Sequence, residues 1–206
     1  ATFPLVHTLY KLIRISPKLL ESRGQYILRL FSTCLSSTTN ECILATYNAL
    51  IMLRPQLLPV EPDILCLHLQ DHLIRPKTLQ LLCFTRPVRI SQKLVEILLQ
   101  ETKREKNAIN SVLMLSRHND FAQILLTKQN LWMEQNSINN ETALKIVLVL
   151  MQQNSNKVYL VKSIINNKNL FPILLNSLID KDKLDVIDAL FSVVRNLPVD
   201  GEFVIG

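Results

Sequence analysis

The sequence predicts an all-α fold of short, stacked helices, on three observations. The first is a recurring Leu/Ile-rich block of helix length. Ala108 to Leu115, Ala143 to Leu150 and Val186 to Val194 are examples. Each block is apolar on more than one side, so neighbouring blocks must bury one another. The second is glycine: the chain has only three, and two of them, Gly201 and Gly206, lie at its C-terminal end. A nucleotide-binding α/β fold needs glycine-bearing turns, and a β-rich fold needs many tight ones. The third is punctuation by proline and asparagine, which cuts the chain into helices of roughly 8–14 residues, shorter than a simple bundle favours.

The elements follow in order. Pro4 suits the first turn of a helix running to about Ile15, with Leu5, Leu9, Leu12 and Ile13 on one face. Ser16-Pro17 restarts the chain, and Tyr26, Ile27, Leu30 and Phe31 mark the next helix. Ser36 to Asn40 is a loop whose Thr39 or Asn40 caps a helix from Glu41 to about Leu53. Pro55, Pro59 and Pro62 break the chain before a helix over Asp63–Leu73. Pro76 opens a short helix from Lys77 to Phe84, and Ser91 caps Gln92–Leu99. Helices are expected at about 105–117, 120–127, 141–153, 156–166, 170–179 and 183–196, joined by Asn-rich turns. Trp132 falls in the longest connection and is expected to pack between layers.

Composition narrows the class. The 206 residues are 48% hydrophobic and 19% charged, enough apolar content for a packed core and too little charge for a disordered tail. Residues 1–106 hold fourteen Lys or Arg against eight Asp or Glu; from residue 107 on there are nine of each. The whole net charge of +6 therefore belongs to the first half, while asparagine concentrates in the second. No linker separates the halves, so a single domain over 1–206 is expected. The missing initial methionine suggests a fragment of a longer protein. No run reaches the length of a membrane-spanning helix, and no signal peptide is evident, so an intracellular setting, cytoplasmic or nuclear, is expected. Cys34, Cys42, Cys66 and Cys83 form no close pair and read as free, buried thiols.

Catalytic chemistry is sparse. His68 and His72 are four apart and read as a solvated pair on one helix face; the Glu of a zinc-binding H-E-x-x-H motif is missing. There is no phosphate-cradling glycine loop and no nucleophile elbow. No enzyme activity, metal or cofactor is expected.

The stretch from Asn156 to Asn196 resembles one armadillo-type unit: a first helix to Ile165, a second from Leu170 to Leu178, and a third from about Lys183. Third-helix blocks also appear around Ala45, Ala108 and Ala143, at spacings near the armadillo and HEAT range. The resemblance is best over residues 105–197. It implies an armadillo/HEAT-like right-handed superhelix whose surface binds a peptide, a helix or a partner domain. Peptide-binding members carry a Trp and an Asn on successive third helices. Matching the blocks by their first small residue places Tyr47, Asn110, Lys145 and Phe191 at the Trp position and Ile51, Met114, Val149 and Arg195 at the Asn position. The Asn ladder is absent, so those eight residues imply a mixed groove for a helix or folded partner rather than a basic peptide. The expected function is a non-catalytic protein-interaction or scaffolding module. The alternative is a nucleic-acid-associated scaffold using a basic stripe of Arg75, Lys77, Arg86, Arg89, Lys103, Arg104 and Lys106. The same stripe would also suit an acidic protein domain.

Overall fold

The computed structural model describes residues 3–16, 18–127 and 140–153. The chain divides into two compact units, Ala1–Lys128 and Gln129–Gly206. Helix accounts for 74% of the described residues, so the fold is mostly helical, as the sequence predicts.

Among its described residues the first unit contains eight helices: α1 (Phe3–Ile15), α2 (Lys18–Leu35), α3 (Asn40–Leu53), α4 (Pro62–Gln70), α5 (Arg75–Leu82), α6 (Gln92–Glu101), α7 (Lys106–Leu115) and α8 (Asn119–Thr127). Local chemistry sets their ends. Pro62 starts α4, and Pro76 stands in the first turn of α5, where a missing N–H costs nothing. The Ser91 hydroxyl accepts the Leu94 amide at 3.2 Å and caps α6. Thr39 is the N-cap residue of α3, yet its side chain makes no capping bond. α2 bends at Arg23, whose backbone leaves helical geometry (φ −132°, ψ 16°). α3 stops at Arg54, which adopts the left-handed conformation (φ 47°) and returns its amide to the Leu50 carbonyl at 2.9 Å.

Two expectations need correction. The helix expected over Asp63–Leu73 ends at Gln70, because the Asp71 carboxylate takes the amides of Leu73 and Ile74 at 2.8 and 3.3 Å. Two short strands also appear, β1 (Leu57–Leu58) and β2 (Arg86–Pro87), paired in parallel. They belong to the α3–α4 and α5–α6 connections, which run side by side. Pro55, Pro59 and Pro87 hold these loops extended.

Helix packing in this unit follows a simple rule. α1 packs on α3, α3 on α5 and α5 on α7; α4 packs on α6 and α6 on α8. Sequential helices α2–α3, α4–α5 and α6–α7 join the two rows. The odd-numbered row repeats its buried register. Thr46, Tyr47 and Leu50 recur as Thr78, Leu79 and Leu82, then as Ser111, Val112 and Leu115, and all nine are fully buried. From 46 to 78 and from 78 to 111 the steps are 32 and 33 residues. In each triplet the hydroxyl turns back to the carbonyl four residues earlier: Thr46 to Cys42 at 2.7 Å, Thr78 to Ile74 at 3.3 Å, Ser111 to Asn107 at 2.8 Å. A small hydroxyl satisfied within its own helix lets the next helix approach closely without leaving a buried polar group unpaired. Each fully buried leucine contributes on the order of 1.5–3 kcal/mol.

The second unit is described through α9 (Asn140–Gln153). Thr142, Ala143, Ile146, Val147 and Leu150 are buried along one helical stripe, and Lys145 is exposed. The helices expected at 156–166, 170–179 and 183–196, and the packing expected of Trp132, lie outside the described residues.

Candidate functional site

The structure does not present Tyr47 on a groove. It is fully buried on α3, with its hydroxyl 2.8 Å from His68 Nδ1 and its ring edge-on to the imidazole at 5.5 Å. Ile51 on α3 and Met114 on α7 are half-buried, and Asn110 on α7 is exposed; α5 lies between those two helices in the row. Lys145, exposed, and half-buried Val149 belong to the second unit. Phe191 and Arg195 lie outside the described residues. The register explains the misplacement of Tyr47: the residues equivalent in burial to Tyr47 are Leu79 and Val112, so matching Ala45 to Ala108 set the two helices out of phase.

The histidine pair is also corrected. His68 is only 6% exposed, whereas His72 lies beyond the end of α4 and is exposed, so the two no longer share a helix face. Burial pushes the Tyr47 pKa up, partly offset by the Thr78 hydroxyl that reaches the same oxygen. Burial likewise pushes His68 down, opposed by the Asp71 charge and by a hydrogen bond with the Leu35 backbone. A neutral imidazole donating to the Leu35 carbonyl leaves Nδ1 as acceptor, so the Tyr47 hydroxyl donates to it. A tyrosine beside a histidine is acid–base chemistry in principle. Here both are sealed from solvent, and the network instead joins α2, α3, α4 and α5.

The seven cations divide between two edges of the first unit. Arg75, Lys77, Lys103, Arg104 and Lys106 lie at the edge formed by the α4–α5 and α6–α7 connections. Arg86 and Arg89 lie at the opposite, proline-bearing edge, formed by the α3–α4 and α5–α6 connections. Four of the seven have acidic partners. Arg75 is mostly buried, 3.2 Å from the Glu101 carboxylate, while its Nε donates to the Leu69 carbonyl at 2.7 Å at the end of α4. The approach to Glu101 has ion-pair distance without hydrogen-bond alignment, because that carboxylate oxygen accepts no hydrogen bond. Arg104 shares the other oxygen of Glu101 at 3.6 Å. Arg86 reaches Asp120 at 3.1 Å, and exposed Arg89 approaches Glu61 at 3.9 Å. Lys103 and Lys106 are exposed, and Lys77 is half-buried; none has an ion pair among the described residues.

One arginine escaped the sequence reading. Arg54 lays its guanidinium 5.4 Å from the Phe84 ring centre, in the next connection of the same edge. The signal was present: Thr46, Leu50 and Arg54-Pro55 recur 32 residues later as Thr78, Leu82 and Arg86-Pro87. Both arginines reach forward along the chain within the first unit, Arg54 to Phe84 in the α5–α6 connection and Arg86 to Asp120 in the first turn of α8. Thr85 adds a hydrogen bond to the Pro55 carbonyl at 2.8 Å.

Other reactive groups are covered or dispersed. None of the four cysteines is in a disulfide; Cys34, Cys42 and Cys66 are buried. Burial raises the thiol pKa of Cys34, Cys66 and Cys83, which disfavours the nucleophilic thiolate. Among the described residues no group of three or more His, Cys, Asp or Glu has a metal-binding arrangement, and no helix is long and apolar enough to cross a membrane. An open groove of about 280 Å³ lies between α1 and α3, lined by Val6, His7, Tyr10, Ala45, Asn48, Ala49 and Met52. No family model matches the chain, and comparison with curated proteins and with solved structures finds no match.

Proposed function

We propose that this chain is a non-catalytic protein-interaction or scaffolding module, built as an armadillo/HEAT-like superhelix of stacked helices in an intracellular protein. The buried register recurring at 46, 78 and 111 carries the reading. A helical pair repeated in that way is stabilised by its neighbours and offers continuous side surfaces to a partner. The engagement of Arg75, Arg86, Arg89 and Arg104 by Glu101, Asp120 and Glu61 supports a protein partner over nucleic acid, since a phosphate-tracking groove needs unpaired cations along one path. The test is affinity capture with the full chain after nuclease treatment. A protein recovered in stoichiometric amount supports the reading; recovery of nucleic acid alone in the untreated sample, or of nothing, overturns it.

A further inference from the structure

The edge formed by the α4–α5 and α6–α7 connections turns its acids inward and its cations outward. Glu101 is buried between Arg75 at 3.2 Å and Arg104 at 3.6 Å. Half-buried Asp71 directs its carboxylate to the Leu73 and Ile74 amides. Half-buried Glu105 is the N-cap residue of α7. Lys103, Arg104 and Lys106 are exposed, and no exposed acid occurs at 70–77 or 100–107. Two lysines of this edge stand where the fold disfavours them. Lys77 and Lys106 lie in the first turns of α5 and α7, which hold no acid, and a cation there opposes the helix dipole. α3, α4 and α8 carry Glu41, Asp63 and Asp120 in that place. Local helix energetics therefore oppose these lysines rather than explain them.

We propose that this edge is the docking site for a short acidic segment of a partner protein, with carboxylates set beside aliphatic residues. Charge selects the carboxylates, since every exposed ionised residue of the two connections is a cation. The aliphatic residues answer Leu73, which is 55% exposed in the α4–α5 connection, two residues before Arg75. The same edge suits a protein better than nucleic acid. A phosphate backbone offers nothing apolar to Leu73, and neither connection carries a Phe, Tyr or Trp on which a base could stack. The span is short. Arg75 on Glu101 ties the two connections together, and α5 packs on α7. Packed helices stand about 8–10 Å apart. About three extended residues cover that distance, so a segment of about six meets both connections. This inference rests on the interaction reading above and gives it one surface and one partner chemistry.

The test uses the full chain and a fluorescein-labelled peptide of about ten residues in which Glu or Asp alternates with Leu. A control peptide carries Gln and Asn in place of the acids. Saturable anisotropy that falls with added salt is expected for the acidic peptide, with at least tenfold weaker binding of the control. Lys103→Glu with Lys106→Glu should weaken binding at least tenfold. It should not lower the unfolding midpoint, because Lys106→Glu sets an acid at the N-terminus of α7. The same variant should gain binding to a peptide with Lys in place of the acids. Leu73→Ser should weaken binding severalfold. Lys93→Glu, exposed at the start of α6 on the opposite edge, should leave it unchanged. Equal binding of the acidic and control peptides, or binding indifferent to the double lysine variant, overturns the proposal. So does tighter binding of single-stranded DNA or of phosphatidylserine vesicles than of the acidic peptide, or a dimer of the free chain that the double variant dissolves. Should the Lys103→Glu, Lys106→Glu chain still capture its protein partner, the edge site fails while the interaction reading stands.

Discussion

At the scale of the residue, the informative groups are the ones that look functional and are structural. Arg75 closes the end of α4 and sits against the buried Glu101 carboxylate. Replacing it with Met leaves that carboxylate with only exposed Arg104 beside it, and leaves the Leu69 carbonyl without its partner. The expected loss is about 2–4 kcal/mol in urea melts. Adding Glu101→Leu should restore part of it, because removing the second charge ends the penalty the first removal creates. His68 gives a pH signature. Its folded pKa lies below the ordinary 6.5, so the unfolded chain takes up the proton first as the solution is acidified. Stability from this group is therefore complete above about pH 6.5 and falls as pH drops below it. His118 is shifted the same way, chiefly by burial. His68→Gln with His118→Gln should flatten the stability profile between about pH 7.5 and 5.5 in denaturant titrations. Neither residue's burial was legible in sequence: Cys66-Leu67-His68-Leu69 fits an exposed face as readily as a buried one until the position of Tyr47 is known.

Elements were more legible than residues, and for a local reason. Proline at the first turn and serine at a cap act within a few residues, so Pro62, Pro76 and Ser91 mark real helix starts. Ser91→Ala should cost roughly 1 kcal/mol by thermal or urea unfolding, since it removes the acceptor of the Leu94 amide. The early end of α4 was harder to foresee. Asp71 competes for the Leu73 and Ile74 amides, and only the path of the turn shows that it wins. Asp71→Ala should cost about 1 kcal/mol in the same assay by releasing those amides. The β1–β2 ladder was invisible in sequence because it joins two-residue segments from different loops, and no periodicity can show in two residues.

At the scale of the whole molecule, the mostly helical fold of the described residues followed from composition and punctuation, while the order of stacking did not. Leu/Ile blocks state that helices bury one another, and leave open which pairs meet. The 32-residue echo from Thr46 to Pro55 and from Thr78 to Pro87 was the available clue, diluted because only four of ten positions are identical. Leu79→Ala should destabilise by about 2–5 kcal/mol, and hydrogen exchange should quicken in α3, α5 and α7 together, since this fully buried side chain lies on the middle helix of the three. The distribution of ties has a mechanical meaning. Along the proline edge the ladder, Arg54 on Phe84, Thr85 on Pro55, Arg86 on Asp120 and Arg89 near Glu61 all bind one connection to the next. Along the other edge the polar fastening between connections centres on Glu101, held by Arg75. Bending should therefore be anisotropic: flexure that spreads the proline edge must break many fastenings at once, whereas flexure that opens the other edge strains one. A guest seated on this unit would meet a sheet of helices with a stiff spine and a compliant margin, able to change its curvature about one axis while keeping its length.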